Sequence, residues 1–252
     1  MKSIKTIAIT TALLSSAATV LADDATTNKV PRWESSAAAG LTLTRGNSET
    51  LLGTVDVVTG KKWDHNELSL GADGAYAQSK TDGKDHTTAY SVHGFAQYNR
   101  LVNDRFYGYG RIEALHDEVA DITYRFTLSP GVGYYFIKET RMDLSGEVGP
   151  GFIYEKTGSG TNVTEQSYAT LRVGEKFNFK LSEHARIWQK AEFLPQVDDF
   201  NNYIINSELG IEADLTKSFS LRSFVQDSFD NQPAPGRDQN DLKWVTAVAY
   251  KF

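Results

Sequence analysis

Five histidines, His65, His86, His93, His116 and His184, are the bases that a hydrolytic site in this chain would have to draw on. Hydrolysis of a lipid or ester needs such a base beside a hydroxyl nucleophile. No histidine has a serine two residues downstream on its own strand face. Ser91 precedes His93 by two, and alternation turns both to an inner face, away from any lipid substrate. Metal chemistry fares no better. His65 with Glu67, and His116 with Glu118, each place a histidine and a carboxylate on one strand face, near strand ends that meet water. There is no cysteine, which removes soft-metal ligation. Asn162-Val163-Thr164 has the spacing of a glycosylation acceptor but reads as a polar loop. Gly131-Val132-Gly133 and Gly149-Pro150-Gly151 fall inside strands, as points of curvature or close packing, with no helix to make a phosphate cradle. No catalytic, cofactor or metal residue is expected.

The remaining chemistry is a set of charges at alternate positions of otherwise apolar segments. Arg111, Glu113, Arg125, Arg141, Asp143, Glu147, Arg172, Lys176, Glu208 and Glu212 are the candidate inward-facing residues. Asp56, Asp73, Arg186, Lys190, Glu192, Arg222 and Lys243 fall on the same face. A charge in low dielectric without a partner is costly, so these either pair or line water. Pairing gives an interior filled by its own side chains. Lining water gives a narrow channel, selective through the field of its walls.

Such charges converge only if the segments carrying them are strands. Period-two alternation runs through most of the chain and helical periodicity is hard to find. Leu68, Leu70, Ala72, Gly74 and Tyr76 share a face; so do Ile122, Tyr124, Phe126, Leu128, Val132, Tyr134 and Phe136. The pattern predicts twelve strands, at 33–45, 50–59, 63–79, 87–100, 105–117, 121–137, 140–155, 165–180, 184–197, 203–216, 219–230 and 241–252. Most exceed the usual globular strand and suit a tilted membrane strand, which needs about 9–11 residues for the hydrocarbon. Glu175 and Gln189 break the scheme, each falling on an outward face, which implies a bulge or a place near the interface.

The connections separate into two kinds. Counted along the chain, every even one is short, among them 60–62 and 181–183, and all the long ones are odd, among them 80–86, 156–164 and 231–240. Short periplasmic turns and longer outer loops characterise an outer-membrane barrel. The expected fold is therefore all-β, a transmembrane antiparallel up-and-down barrel spanning 33–252. Its partners would be outer-membrane lipids and lipopolysaccharide, and a monomer is favoured. A soluble sandwich or wide soluble barrel would explain the alternation but not the two kinds of connection. The strand 241–252 closes the barrel against the first; Trp244, Val248, Tyr250 and Phe252 on its outward face form the expected C-terminal signal for the barrel assembly machinery.

Lys2 and Lys5, followed by the uncharged stretch from Ile7 to Ala22, read as a secretory signal cut before Asp23, with 23–32 as a short polar lead-in. The formal charge is −6, and −8 without the two leader lysines; an acidic exported chain with no basic patch is no nucleic-acid binder. Absence of cysteine fits an oxidising compartment where stability comes from elsewhere. No later run is apolar enough for a membrane helix, which says little about barrel strands.

The chain resembles the salt-induced outer membrane protein family. The resemblance rests on residues 33–47, WESSAAAGLTLTRGN, on Asn103-Asp104-Arg105-Phe106-Tyr107-Gly108-Tyr109-Gly110, on residues 131–135, GVGYY, on the passage 198–210, and on the Tyr250-Lys251-Phe252 ending. Where the family usually shows Gly-Asn-Thr, this chain has Gly46, Asn47 and Ser48. The resemblance covers about the whole of 33–252 and implies an outer-membrane barrel without an established enzymatic activity. The function it supports is a non-enzymatic envelope protein linked to salt or osmotic stress. A narrow channel for small polar solutes is the first alternative and a lipid-modifying enzyme the second.

Overall fold

A computed structural model describes residues 32–44, 49–81, 84–158, 160 and 162–252. The expected signal, most of the polar lead-in and the turn carrying Gly46, Asn47 and Ser48 lie outside the described residues. Twelve antiparallel strands form one closed barrel, each paired with its neighbours in sequence and the last with the first. They are β1 (Trp33–Thr44), β2 (Glu49–Trp63), β3 (Asn66–Thr81), β4 (Lys84–Leu101), β5 (Phe106–Asp117), β6 (Ile122–Lys138), β7 (Met142–Thr157), β8 (Thr164–Lys180), β9 (Ala185–Pro195), β10 (Tyr203–Asp214), β11 (Phe219–Asp230) and β12 (Asn240–Lys251). The closing seam pairs Ser36 with Lys251 through Gly40 with Ala247, and Ser35 and Phe252 exchange both backbone hydrogen bonds.

Alternation produces two walls. On β12, Leu242, Trp244, Val248 and Tyr250 are exposed, while Lys243, Val245, Ala247 and Ala249 are buried. The outward wall is a band of large apolar residues, among them Leu128, Val148, Val173, Leu209 and Ile211. Aromatic clusters edge it at both ends: Tyr124, Phe126 and Tyr154 on the outer side, Phe219, Tyr250 and Phe252 on the periplasmic side. An apolar belt between aromatic girdles is what a barrel presents to lipid. No helix among the described residues is long and apolar enough to cross a membrane.

The structure corrects the expected boundaries in three places. Gly60, Lys61 and Lys62 are strand, pairing with Ser69, Leu68 and Glu67, and the turn is Asp64-His65, with Asp64 at φ 46°. Lys61 lies over the rings of Trp33 and Trp63, at 5.8 and 6.0 Å, so the lysines extend β2 along an aromatic rim rather than ending it. Most of the expected loop 80–86 is likewise strand, and the longest connections are 158–163, 196–202 and 231–239, all on the outer side. Finally, the register of β6 against β7 shifts between Ile122 and Tyr124, which turns Ile122 inward while Tyr124 remains outward.

No such shift occurs at Glu175. β8 pairs with β7 without interruption from Met142↔Phe179 to Thr157↔Thr164, and with β9 across Gln189. Glu175 therefore lies on the outward wall, opposite Gly146 and Ala191. Carboxylates on a lipid-facing wall destabilise, though less than lysine or arginine. Glu175→Leu should raise stability by about 1–2 kcal/mol, measured by urea unfolding in lipid vesicles. An unchanged or lower midpoint would show that something other than lipid covers this residue.

The candidate channel interior

The inner wall is polar, and its side chains reach one another across strands that are not neighbours. Glu147 on β7 is the densest junction. Its carboxylate accepts hydrogen bonds from Gln97 of β4 at 2.8 Å, Tyr107 of β5 at 3.0 Å, and Arg172 and Lys176 of β8 at 2.8 and 3.2 Å. Arg172 also binds Glu192 at 2.5 Å and donates to the Tyr109 hydroxyl at 3.0 Å. The tyrosines fit because glycine lies beneath them. A Cβ on Gly133 would stand 2.2 Å from the Tyr107 ring, and one on Gly131 2.7 Å from that of Tyr109. Gly210 makes the same space for Trp188, whose Nε1 donates to Glu208 at 2.5 Å.

Three further groups stand along the lining. Glu212 is held by Arg186 at 2.6 Å, Arg222 at 3.2 Å and Lys251 at 2.8 Å, near the periplasmic mouth. Arg111 pairs with Glu113 at 2.6 Å, and His93 lies between Asp73 at 3.1 Å and Glu113 at 3.4 Å. Toward the outer side, Arg125 of β6 binds Glu155 at 2.5 Å and Asp230 of β11 at 3.0 Å, a bridge between strands five places apart in the barrel order. Above it, Arg237 in the β11–β12 loop pairs with Asp121 in the β5–β6 turn at 2.7 Å, tying a loop to a turn from a distant part of the barrel.

Arg111, Glu113, Arg125, Glu147, Arg172, Lys176, Glu208 and Glu212 all lie within this network. Arg141 does not. It sits in the β6–β7 turn, exposed, donating to the carbonyls of Lys180 and Leu181 at 3.1 and 3.4 Å. It stands one residue before β7, beyond the reach of the alternation that assigned it inward. Asp143 is half-buried at the same end. Gln97, Tyr107, Tyr109, Glu155 and Asp230 were not singled out by sequence; the one available signal was the glycine opposite each inward tyrosine. Both nitrogens of His93 face carboxylates, so the ring is not poised as a base for Ser91.

Among the described residues, small cavities lie between these groups. A cavity of about 40 Å³ lies among Lys176, Lys190, Glu192 and Glu208, and another of about 60 Å³ among His93, Arg125, Leu194 and Ile204. Each has room for a few waters at most. Among the described residues no three histidine or acidic side chains converge to hold a metal ion.

Residues 37–252, nearly all of the barrel, match the family described as "Protein of unknown function, DUF481". The chain belongs to the DUF481 family. No curated protein matches it. Among solved structures, the translocator domain of the autotransporter NalP from Neisseria meningitidis is similar at a TM-score of 0.51 and 14% identity, over 90% of each chain. The NanC porin is similar at 0.51 and 8% identity, over 87% of this chain and 100% of its own. At these identities the likeness is one of fold, and this DUF481 chain is an outer-membrane β-barrel.

Proposed function

We propose that this DUF481 barrel is a narrow channel for ions and small polar solutes, constricted by the ion pairs that cross its interior. The observation that carries the reading is the composition of the inner wall. A barrel serving only as a structural element gains little from buried ion pairs, because apolar side chains of similar volume stabilise as well or better. Charges of both signs beside water-sized cavities are instead the lining of an aqueous path. The similarity to a porin supports the same reading. The salt link implied by the family resemblance fits it too, since pairs that border water weaken as ionic strength rises.

The test is release of potassium from loaded vesicles. Wild-type protein should release it slowly. Arg237→Ser, which unties the outer loop from Asp121, should release it several-fold faster, on the order of tenfold if the loop limits entry. No release by either protein would leave a sealed, structural barrel as the better account.

Assembly belongs to the same proposal. Trp244, Val248 and Tyr250 occupy the outward face of β12, and Phe252, just past the strand, stacks on Tyr250 at 5.7 Å. The barrel assembly machinery would read this face during insertion. Deleting Phe252 removes apolar burial worth about 1.5–3 kcal/mol, which a barrel survives, yet heat-modifiable protein in the membrane should fall sharply. Equal amounts with and without Phe252 would contradict this role.

A further inference from the structure

Two adjacent lysines near the end of β2 point to opposite walls, and only one of them meets an anion. Lys62 turns inward and stands 3.5 Å from the Glu67 carboxylate. Lys61 turns outward, where its neighbours are the rings of Trp33 and Trp63. An aromatic face attracts an ammonium without neutralising it. Across β3, Arg100 of β4 lies on the same outward face, exposed, and donates from one nitrogen to Asn66 Oδ1 at 2.9 Å. A guanidinium carries five N–H donors, so most of this fork stays open. Among the described residues neither Lys61 nor Arg100 has a carboxylate partner.

The register brings these two cations to one place. Lys61 pairs with Leu68, and Leu68 with Tyr98; two residues nearer the turn, Trp63 pairs with Asn66, and Asn66 with Arg100. β2 and β4 stand about 9–10 Å apart across β3, a gap that a lysine and an arginine can close on one group between them. Asn66 positions the arginine. Its Oδ1 also accepts from the Tyr98 hydroxyl at 2.5 Å, and its Nδ2 donates to the Trp63 carbonyl oxygen at 3.5 Å. Trp33, Trp63 and Tyr98 set the depth, because tryptophan and tyrosine gather where the apolar belt meets the headgroups. The adjoining turn, Asp64-His65, is at the periplasmic end. Unpaired cations in that girdle stand at the level of lipid phosphates.

We propose that Lys61 and Arg100, with Asn66 as a positioning residue, form a binding site for an anionic phospholipid of the periplasmic leaflet, held through its phosphate. The arginine fork donates to two phosphate oxygens and the lysine adds a point charge. The acyl chains run along the outward wall over Leu68 and Leu70 of β3. Charge selects the headgroup, since a zwitterionic lipid brings its own ammonium and gains less from two cations. Other basic residues at this end do not form such a site. Arg141 directs its donors to the carbonyls of Lys180 and Leu181. The site goes beyond the channel reading, because it fills whether or not ions cross the barrel.

Native mass spectrometry of the purified barrel in neutral detergent, titrated with phosphatidylglycerol, measures the fraction carrying lipid. The wild type should hold one lipid tightly. Lys61→Gln and Arg100→Gln should each weaken that binding about fivefold, and the double variant on the order of twenty-fivefold. Arg141→Gln should bind as the wild type does. Phosphatidylcholine should bind the wild type about as weakly as phosphatidylglycerol binds the double variant. Excess inorganic phosphate should leave the lipid in place. Both substituted residues face outward, and heat-modifiable mobility shows that each variant has folded. Wild-type affinity in the double variant, equal weakening by Arg141→Gln, or equal binding of the two lipids would refute the site. Displacement by phosphate alone would show an ion site and overturn the lipid assignment. The measurement uses no current, so it fails or succeeds independently of conduction.

Discussion

Glu147→Ala should cost the barrel about 3–5 kcal/mol of stability, the usual consequence of removing one partner from a buried ion pair. Four side chains from three strands lose their common acceptor: Gln97, Tyr107, Arg172 and Lys176. Arg172 keeps Glu192, but among the described residues Lys176 is left with only the Gln97 side-chain oxygen at 3.3 Å. Most of the loss is the desolvation of that lysine, not the attraction itself. Glu147→Gln separates the two contributions, since the amide oxygen still accepts from Tyr107 and Gln97 without neutralising the cations. It should fall between alanine and wild type. Urea unfolding in detergent, followed by tryptophan fluorescence, gives the comparison. Loss of less than about 1 kcal/mol in the alanine variant would mean that water already carries these groups.

Gly149→Ala should be nearly as damaging for a different reason. A Cβ at Gly149 would stand 2.1 Å from the carbonyl oxygen of Pro130 and 2.6 Å from the Cα of Gly131. Both atoms are backbone, so no side chain can swing aside. Direct pairing between β6 and β7 is interrupted here, between Leu128↔Phe152 and Val132↔Val148, where Pro130 has no N–H to offer. The two strands press together at that break, and glycine is what permits it. Overpacking of this kind costs about 1–3 kcal/mol or more. Gly110→Ala is the control, because nothing lies within 4 Å of its Cβ position. Equal stability of the two variants would show that β6 can move away from β7 freely.

How much of this was legible in the sequence follows from what alternation can encode. Period two fixes which face a residue takes, so the twelve strands, the apolar belt and the inward position of residues such as Arg172 and Glu208 could be read directly. It does not encode which inward residues meet. Arg125 finds Asp230 and Glu147 finds Gln97 because the barrel brings distant strands within side-chain reach, a fact about the closed shape. Period two also fails where an element ends. Arg141 was counted inward although it precedes β7, and Gly60 read as a breaker although Lys61 packs along two tryptophans. At Ile122 a register shift reverses the face without any mark in composition. Aromatic residues are ambiguous for the same reason. Tyr107 and Tyr109 resemble girdle residues by type, and only Gly133 and Gly131 across the pair give them room inside.

Planar lipid bilayers test the channel most directly. Purified wild-type protein should give small discrete conductance steps, and Glu147→Ala, with the central junction cut, should give steps at least about twofold larger at the same salt. Neutralising Arg172 should also shift the ratio of cation to anion permeation toward cations, because its charge stands in the wall of the path. Silence from both wild type and Glu147→Ala, over a range of voltages and salt concentrations and with folded protein demonstrably inserted, would contradict the account.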